Sequence, residues 1–146
     1  MARFLLTVAV TALCGMTARS DDKDDLARFQ GTWVVARAVR NGAEAPDIVR
    51  DALRVTVKGA TLIIRSADDV PTVIQAEMTL DRSKTPPQIV LTQERSGKRQ
   101  KLYGIYELDG DTLRLCWTTD GGARPAAFAA PAGSKAVYFE LKKATK

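Results

Sequence analysis

The sequence of 146 residues contains no histidine. Ser-His-Asp and Cys-His catalysis need an imidazole as the base, and most catalytic zinc sites need one as a ligand. The sequence also shows no other nucleophile paired with a base and no set of residues with the spacing of metal ligands. We therefore expect a protein that is not an enzyme and that requires no metal and no cofactor.

Cysteine and aromatic residues are scarce. The chain has two cysteines, Cys14 and Cys116, and aromatic residues make up 6% of it. So few aromatic residues argue against a large cavity lined by aromatic rings. If the N-terminal segment that holds Cys14 is removed, Cys116 has no partner for an internal disulfide. We interpret Cys116 as a small residue buried in a strand rather than as a reactive thiol.

The first twenty residues form a segment of their own. One positive charge in "MAR" precedes the apolar run "FLLTVAVTAL", and "CGMTARS" follows with the small residues Ala18 and Ser20. This order is typical of a secretory signal peptide, and the apolar run is too short to span a bilayer. We predict that residues 1–20 are a signal peptide and that the remainder is exported, to the periplasm or the medium. The alternative, a lipid anchor on Cys14, is disfavoured because Leu13 stands where a lipoprotein signal prefers a small residue.

The charge pattern excludes one class of partner. The net charge is +5, with no long block of one sign. Several basic residues cluster around two predicted loops, but no aromatic residues are interleaved with them to stack on bases. We expect no nucleic-acid partner and interpret the cluster as a solvated face. Its members are Arg82, Lys84, Arg95, Lys98, Arg99 and Lys101.

From Thr32 onward the hydrophobic period is two, and β-rich segments alternate with turn residues. We expect residues 21–25 to be loose and "DLARFQ" to form a short helical turn, with a second short helix in 41–53 where Pro46 suits a first helical position. The predicted strands are 32–40, 54–58, 61–66, 72–80, 88–94, 101–108, 112–118 and 135–143.

The connections predict how these strands are arranged. Tight turns at Lys58-Gly59 and Asp109-Gly110 join neighbouring strands, and no crossover helices are available for a parallel sheet. The fold class is therefore all-β. Eight sequential antiparallel strands close into an up-and-down barrel, which leaves no open edges. A two-sheet sandwich is the alternative, and the tight turns favour the barrel over it.

The stretch "DLARFQGTW" resembles the lipocalin and wider calycin pattern. The resemblance implies that Trp33 closes one end of the barrel, with Gly31 passing close to the ring and a basic residue near the last strand, Lys142 or Lys143, packing over it. From about Leu26 to Lys143, within a predicted barrel domain of residues 26–146, the chain is also similar to a small exported lipocalin-like domain family of unknown function, abundant in Planctomycetes. The similar stretches are "LARFQGTW", "LDRSKTPPQIVLT", "GIYELDGDTLRLCW" and "ARPAAFAAPAGSKAVYFELKK".

Acidic residues offer little chemistry. The Asp68-Asp69 pair lies in a predicted loop and lacks the further ligands that Ca²⁺ would need. Glu77 and Glu107 lie within predicted strands, where their side chains face either the lumen or, as we expect, solvent beside basic residues.

Two functions remain open at this point. The first is a non-catalytic exported barrel that binds a small apolar molecule, with loops 41–53 and 119–134 at its mouth. The second is a structural or protein-interaction module of the cell envelope whose barrel is filled and whose loops bind a partner protein. We expect the alternating apolar residues to form a packed interior; a cavity of several hundred Å³ would favour the binder.

Overall fold

The structure is a computed structural model that describes residues 20–66, 74–120 and 122–144. Two short helices precede and interrupt a set of nine strands. The helices are α1 (Ser20–Phe29) and α2 (Asp47–Ala52). The strands are β1 (Gly31–Arg40), β2 (Ala43–Glu44), β3 (Leu53–Lys58), β4 (Thr61–Ser66), β5 (Ile74–Asp81), β6 (Gln88–Arg95), β7 (Lys98–Asp109), β8 (Thr112–Thr118) and β9 (Ala136–Lys143).

Eight of these strands form a closed antiparallel barrel. Each strand from β3 to β8 pairs with the next one along the chain, and β1 pairs with both β3 and β9 to close the ring. The remaining strand, β2, consists of two residues that pair with the last two residues of β1. The predicted all-β up-and-down barrel is confirmed, and the two-sheet sandwich is wrong. Tight turns allow strands that are consecutive in the chain to pair with each other. Gly110 has the positive φ of 58° that the turn between β7 and β8 requires.

The N-terminal helix is longer than the sequence suggested. Residues 21–25, expected to be loose, lie in the first turns of α1. The reason is tertiary: the Asp22 carboxylate accepts a hydrogen bond from the backbone N–H of Arg82, and Asp25 is buried. Residues 1–19, which hold nearly all of the predicted signal peptide and Cys14, lie outside the described residues. Neither α1 nor α2 is long and apolar enough to cross a membrane.

The interior follows the alternation of the strands. Inward-facing residues of β5, β7, β8 and β9 belong to a single hydrophobic core, as their period of two predicts. Phe29 of α1 adds to this core from one end. The largest side chains that are fully buried are Trp33, Tyr106, Phe29, Leu62, Ile89, Leu91, Leu102, Ile105, Leu113, Leu115 and Leu141.

The loop 119–134 lies only partly at the mouth of the barrel, where it was expected: Thr119 is at that end. Its Phe128 and Ala130 pack on the outer side of the wall against Tyr138 and Cys116, which form a second, smaller cluster. Alternation along β8 and β9 places the side chains of Cys116 and Tyr138 opposite to the core. The apolar residues of this segment are therefore used to cover the outside of the barrel. Cys116 is fully buried, as predicted.

Candidate binding site

The barrel has one closed end, and Trp33 lies in it. The indole is fully buried, and its Nε1 donates a hydrogen bond to the carbonyl oxygen of Phe29 at 2.9 Å. The Nζ atom of Lys143 lies 5.4 Å from the centre of the ring, within the range of a cation–π contact. Lys142 precedes it on β9 and pairs with Val34 rather than with Trp33, so alternation directs its side chain to the outer face.

Gly31 begins β1 immediately before this site. Its φ is 114°, a value that residues with a Cβ adopt only with strain. The glycine thus allows the chain to turn from α1 into β1 at the position where Trp33 enters the barrel.

A buried polar cluster at the closed end was not foreseen from the sequence. The Tyr106 hydroxyl donates a hydrogen bond to Asp25 Oδ2 at 2.7 Å, and Phe29 packs edge-on to the Tyr106 ring with the ring centres 5.3 Å apart. The guanidinium groups of Arg82 and Arg28 lie 3.5 and 3.8 Å from Asp25 Oδ1. Burial of the hydroxyl, and then its bond to the Asp25 carboxylate, raise the pKa of Tyr106 far above its ordinary value. These contacts hold α1 across the end of the barrel.

The opposite end is open and contains a cavity of ≈ 420 Å³, here called the apolar cavity. Most of its lining is hydrophobic, and it lies between α2 and the ends of the strands at the open end of the barrel. This volume is within the range of sites that hold small molecules. The lining includes Ala38, Ala45, Leu53, Ile64, Val137 and Phe139.

A second cavity, of ≈ 530 Å³, lies beside it at the same end and is here called the polar cavity. Its lining includes Gln75, Gln93, Glu94 and Arg95, all from β5 and β6. Gln93 on β6 is joined to Gln100 on the neighbouring strand β7, because Gln93 Nε2 donates a hydrogen bond to Gln100 Oε1 at 3.1 Å. The mouth of the barrel is thus apolar on one side and polar on the other.

Trp117 lies where the two cavities meet. It lines both of them, together with Arg40, Ile74 and Thr119. The indole is 2% exposed and packs edge-on to Phe139, with the ring centres 5.1 Å apart. Its Nε1 has no hydrogen-bond partner among the described residues. The sequence singled out the other tryptophan of the chain, and only the closure of the barrel distinguishes their surroundings.

The helix α2 stands at the rim of the apolar cavity. Val49 lines the cavity, and the preceding Ile48 is 79% exposed, the most exposed large hydrophobic residue in the described part of the chain. Arg50 anchors the helix by donating to the carbonyl oxygen of Ala36 at 2.6 Å. The helix predicted within 41–53 is therefore present, with Pro46 at its N-cap rather than at its first helical position.

The acidic residues considered from the sequence lie on the outside. Glu77 pairs with Arg99 at 3.9 Å and Glu107 with Arg114 at 3.7 Å, and all four side chains are well exposed. Asp68 and Asp69 lie outside the described residues. Within the described ranges, no group of three or more acidic or cysteine residues is placed to hold a metal ion.

Comparisons with known proteins add no relative to this picture. Neither a scan of protein-family models nor searches of curated proteins and of solved structures found a match to the chain.

Proposed function

We propose that this protein is an exported, non-catalytic barrel that binds a small, largely apolar molecule at its open end. The observation that carries the proposal is the apolar cavity of ≈ 420 Å³ opposite the end that Trp33 and α1 close. Burial of apolar ligand surface against its lining would supply about 25 cal/mol for each Å² removed from water.

The size of the side chains at the mouth also supports binding over a barrel that is filled throughout. The inward-facing residues at the middle and closed end are fully buried, whereas Ala38, Ala45 and Thr119 bring only small side chains to the mouth. Small residues in this position leave the space that larger ones would fill. Export of the chain rests on the sequence pattern of residues 1–20.

Titration of the purified protein with N-phenyl-1-naphthylamine, an apolar dye that fluoresces when bound, tests the proposal. Saturable binding at one site is expected, and Ala45→Phe, which fills part of the cavity, should weaken it by about ten-fold or more. Ala27→Phe is the matched control, because Ala27 is exposed on α1 at the other end. Absent dye binding by the folded protein, or equal loss in both variants, would contradict the proposal.

A protein-interaction module of the cell envelope is the second candidate function. It is favoured by one observation, the exposure of the consecutive apolar residues Ile48 and Val49 on α2. Apolar side chains in contact with solvent are typical of protein-interaction surfaces when they form a patch. Cross-linking on intact cells would test this function: an adduct that Ile48→Ser abolishes would support it, and recovery of the monomer alone would count against it.

A further inference from the structure

The wall of the barrel is split at its open end between β5 and β6. Ladder pairs join these strands from Glu77↔Thr92 to Asp81↔Gln88. Beyond the Glu77↔Thr92 pair, towards the open end, the structure describes both residues 74–76 and residues 93–95 but shows no pairing between these two segments. Residues 74–76 pair with β4 instead, and residues 93–95 pair with β7. We call the resulting gap the slot.

The slot joins the inside of the barrel to its outer surface. A cavity of ≈ 410 Å³ lies on the outer side of these strands, where Glu77 and Arg99 are exposed. Gln75, Gln93 and Glu94 line both this outer cavity and the polar cavity inside. Backbone groups that face the slot also have no ladder partner across it, so they need other hydrogen-bond partners.

The side chains at the slot and the polar cavity offer donors and acceptors together. Gln75 and Gln93 each carry an amide that both donates and accepts, Arg40 and Arg95 only donate, and the Glu94 carboxylate only accepts. An apolar group that filled this space would remove these polar atoms from water without replacing their hydrogen bonds, which is unfavourable. A carboxylate group could accept hydrogen bonds from Arg40 and Arg95, but it has no hydrogen to donate to Glu94 or to the glutamine carbonyl oxygens. Hydroxyl groups both donate and accept, and so they match the whole set.

We propose that the ligand is an amphiphile with an uncharged head group rich in hydroxyls, such as a polyol or a sugar. Its apolar part fills the apolar cavity, and its head group lies in the polar cavity and extends into the slot. This inference rests on the proposed function and specifies the class of molecule that the same site takes. Because the slot opens to the surface, a head group larger than the polar cavity is accommodated without breaking the ring of strands.

Three competitors with the same ten-carbon chain separate the possible head groups. Decyl glucoside and decanoate, each below its micelle concentration, and decyl methyl ether, below its solubility limit, are titrated against bound N-phenyl-1-naphthylamine. The glucoside should displace the dye at a concentration about ten-fold lower than the ether, the effect of one net hydrogen bond or more. Equal potency of the ether would overturn the inference. A decanoate at least as potent as the glucoside would also overturn it, in favour of recognition by charge.

Variants locate the effect in the slot. Gln93→Leu should reduce the preference for the glucoside over the ether to about three-fold or less, because it removes an amide that bonds to the hydroxyl groups. Gln88→Leu is the matched control, because Gln88 lies at the other end of β6 and should leave the preference intact. Gln75→Leu provides a second variant at an exposed position. A preference that neither slot variant changes would overturn the inference, whereas failure of the dye itself to bind would refute the proposed function instead.

Discussion

The two tryptophans of this barrel occupy opposite ends, and their surroundings differ. Trp33 has a hydrogen bond from Nε1 to Phe29, a lysine over its ring and no exposed surface. Trp117 is equally enclosed by neighbours, but it lines two cavities and its Nε1 has no partner among the described residues. The comparison indicates that one end of the barrel is built for stability and that the other leaves contacts unmade, which is the condition a binding site requires.

The largest expected difference between the ends concerns the tryptophans themselves. Trp33→Ala should lower the free energy of unfolding by about 3–5 kcal/mol, because it opens a cavity in packed surroundings. Trp117→Ala should cost less, because it removes no hydrogen bond and enlarges cavities that already exist. Urea unfolding followed by circular dichroism measures both. Equal losses for the two variants would show that the ends are equally packed.

The buried carboxylate of the closed end should matter next. Asp25→Ala leaves the Tyr106 hydroxyl without its acceptor and should cost about 1–3 kcal/mol. In a Tyr106→Phe background the same substitution should cost less, because the interaction is already absent, and a double-mutant cycle gives the coupling energy. Asp24→Ala, at an exposed position of α1, is the control and should have little effect. A coupling energy near zero would mean that this hydrogen bond does not hold α1 in place.

The same cluster predicts a loss of stability in alkali. The fold raises the pKa of Tyr106 because it buries the hydroxyl and bonds it to Asp25. The stability contributed by the neutral phenol is thus complete below the unfolded-state pKa, about 10, and falls by up to about 1.4 kcal/mol for each pH unit above it. Burial also raises the pKa of Cys116, so its contribution falls over a lower range, above about pH 8.5.

Urea unfolding between pH 8 and pH 11.5 measures this dependence. Tyr106→Phe should flatten the upper part of the curve and leave the part due to Cys116 unchanged, and Cys116→Ala should do the reverse. If the slope above pH 10 were the same with and without the Tyr106 hydroxyl, other groups would be responsible for the loss.

The smallest expected effect distinguishes two neighbouring lysines at the closed end. Lys143→Met removes the cation over Trp33 and should cost about 0.5–1 kcal/mol. Lys142→Met, on the outward face of the same strand, should leave the free energy of unfolding nearly unchanged. Thermal unfolding in low salt compares the two variants. A greater loss for Lys142→Met would show that the contact with Trp33 had been assigned to the wrong lysine.

Much of the fold could be predicted from local pattern. Alternation of apolar residues and the turn glycines placed all eight barrel strands within a few residues of their observed ends. The segment Ser20–Asp25 could not be predicted as helix in the same way, because it has no apolar stripe, and its buried residue Asp25 is held by Tyr106, 81 positions further on. Such a contact has no local signature.

The candidate site was only partly predictable. The sequence directed attention to 41–53 and 119–134 as loops at the mouth. The first holds α2 at the rim, whereas the second brings Thr119 to the mouth and packs Phe128 and Ala130 on the outer wall. Both segments contain similar small and apolar residues, so composition alone does not separate them. The slot depends on where the pairing of β5 with β6 ends, and several ends are compatible with the same alternation.

The sequence by itself determined the class of structure: strands with one apolar face, and short turns that make neighbouring strands antiparallel. These features are local, since they arise from side-chain alternation and from the conformations that turn residues permit. Only the tertiary structure decided which end is filled and which is open. That outcome depends on contacts between residues far apart in the chain, where Asp25, Phe29 and Tyr106 meet at one end and no side chain fills the space beside Trp117 at the other.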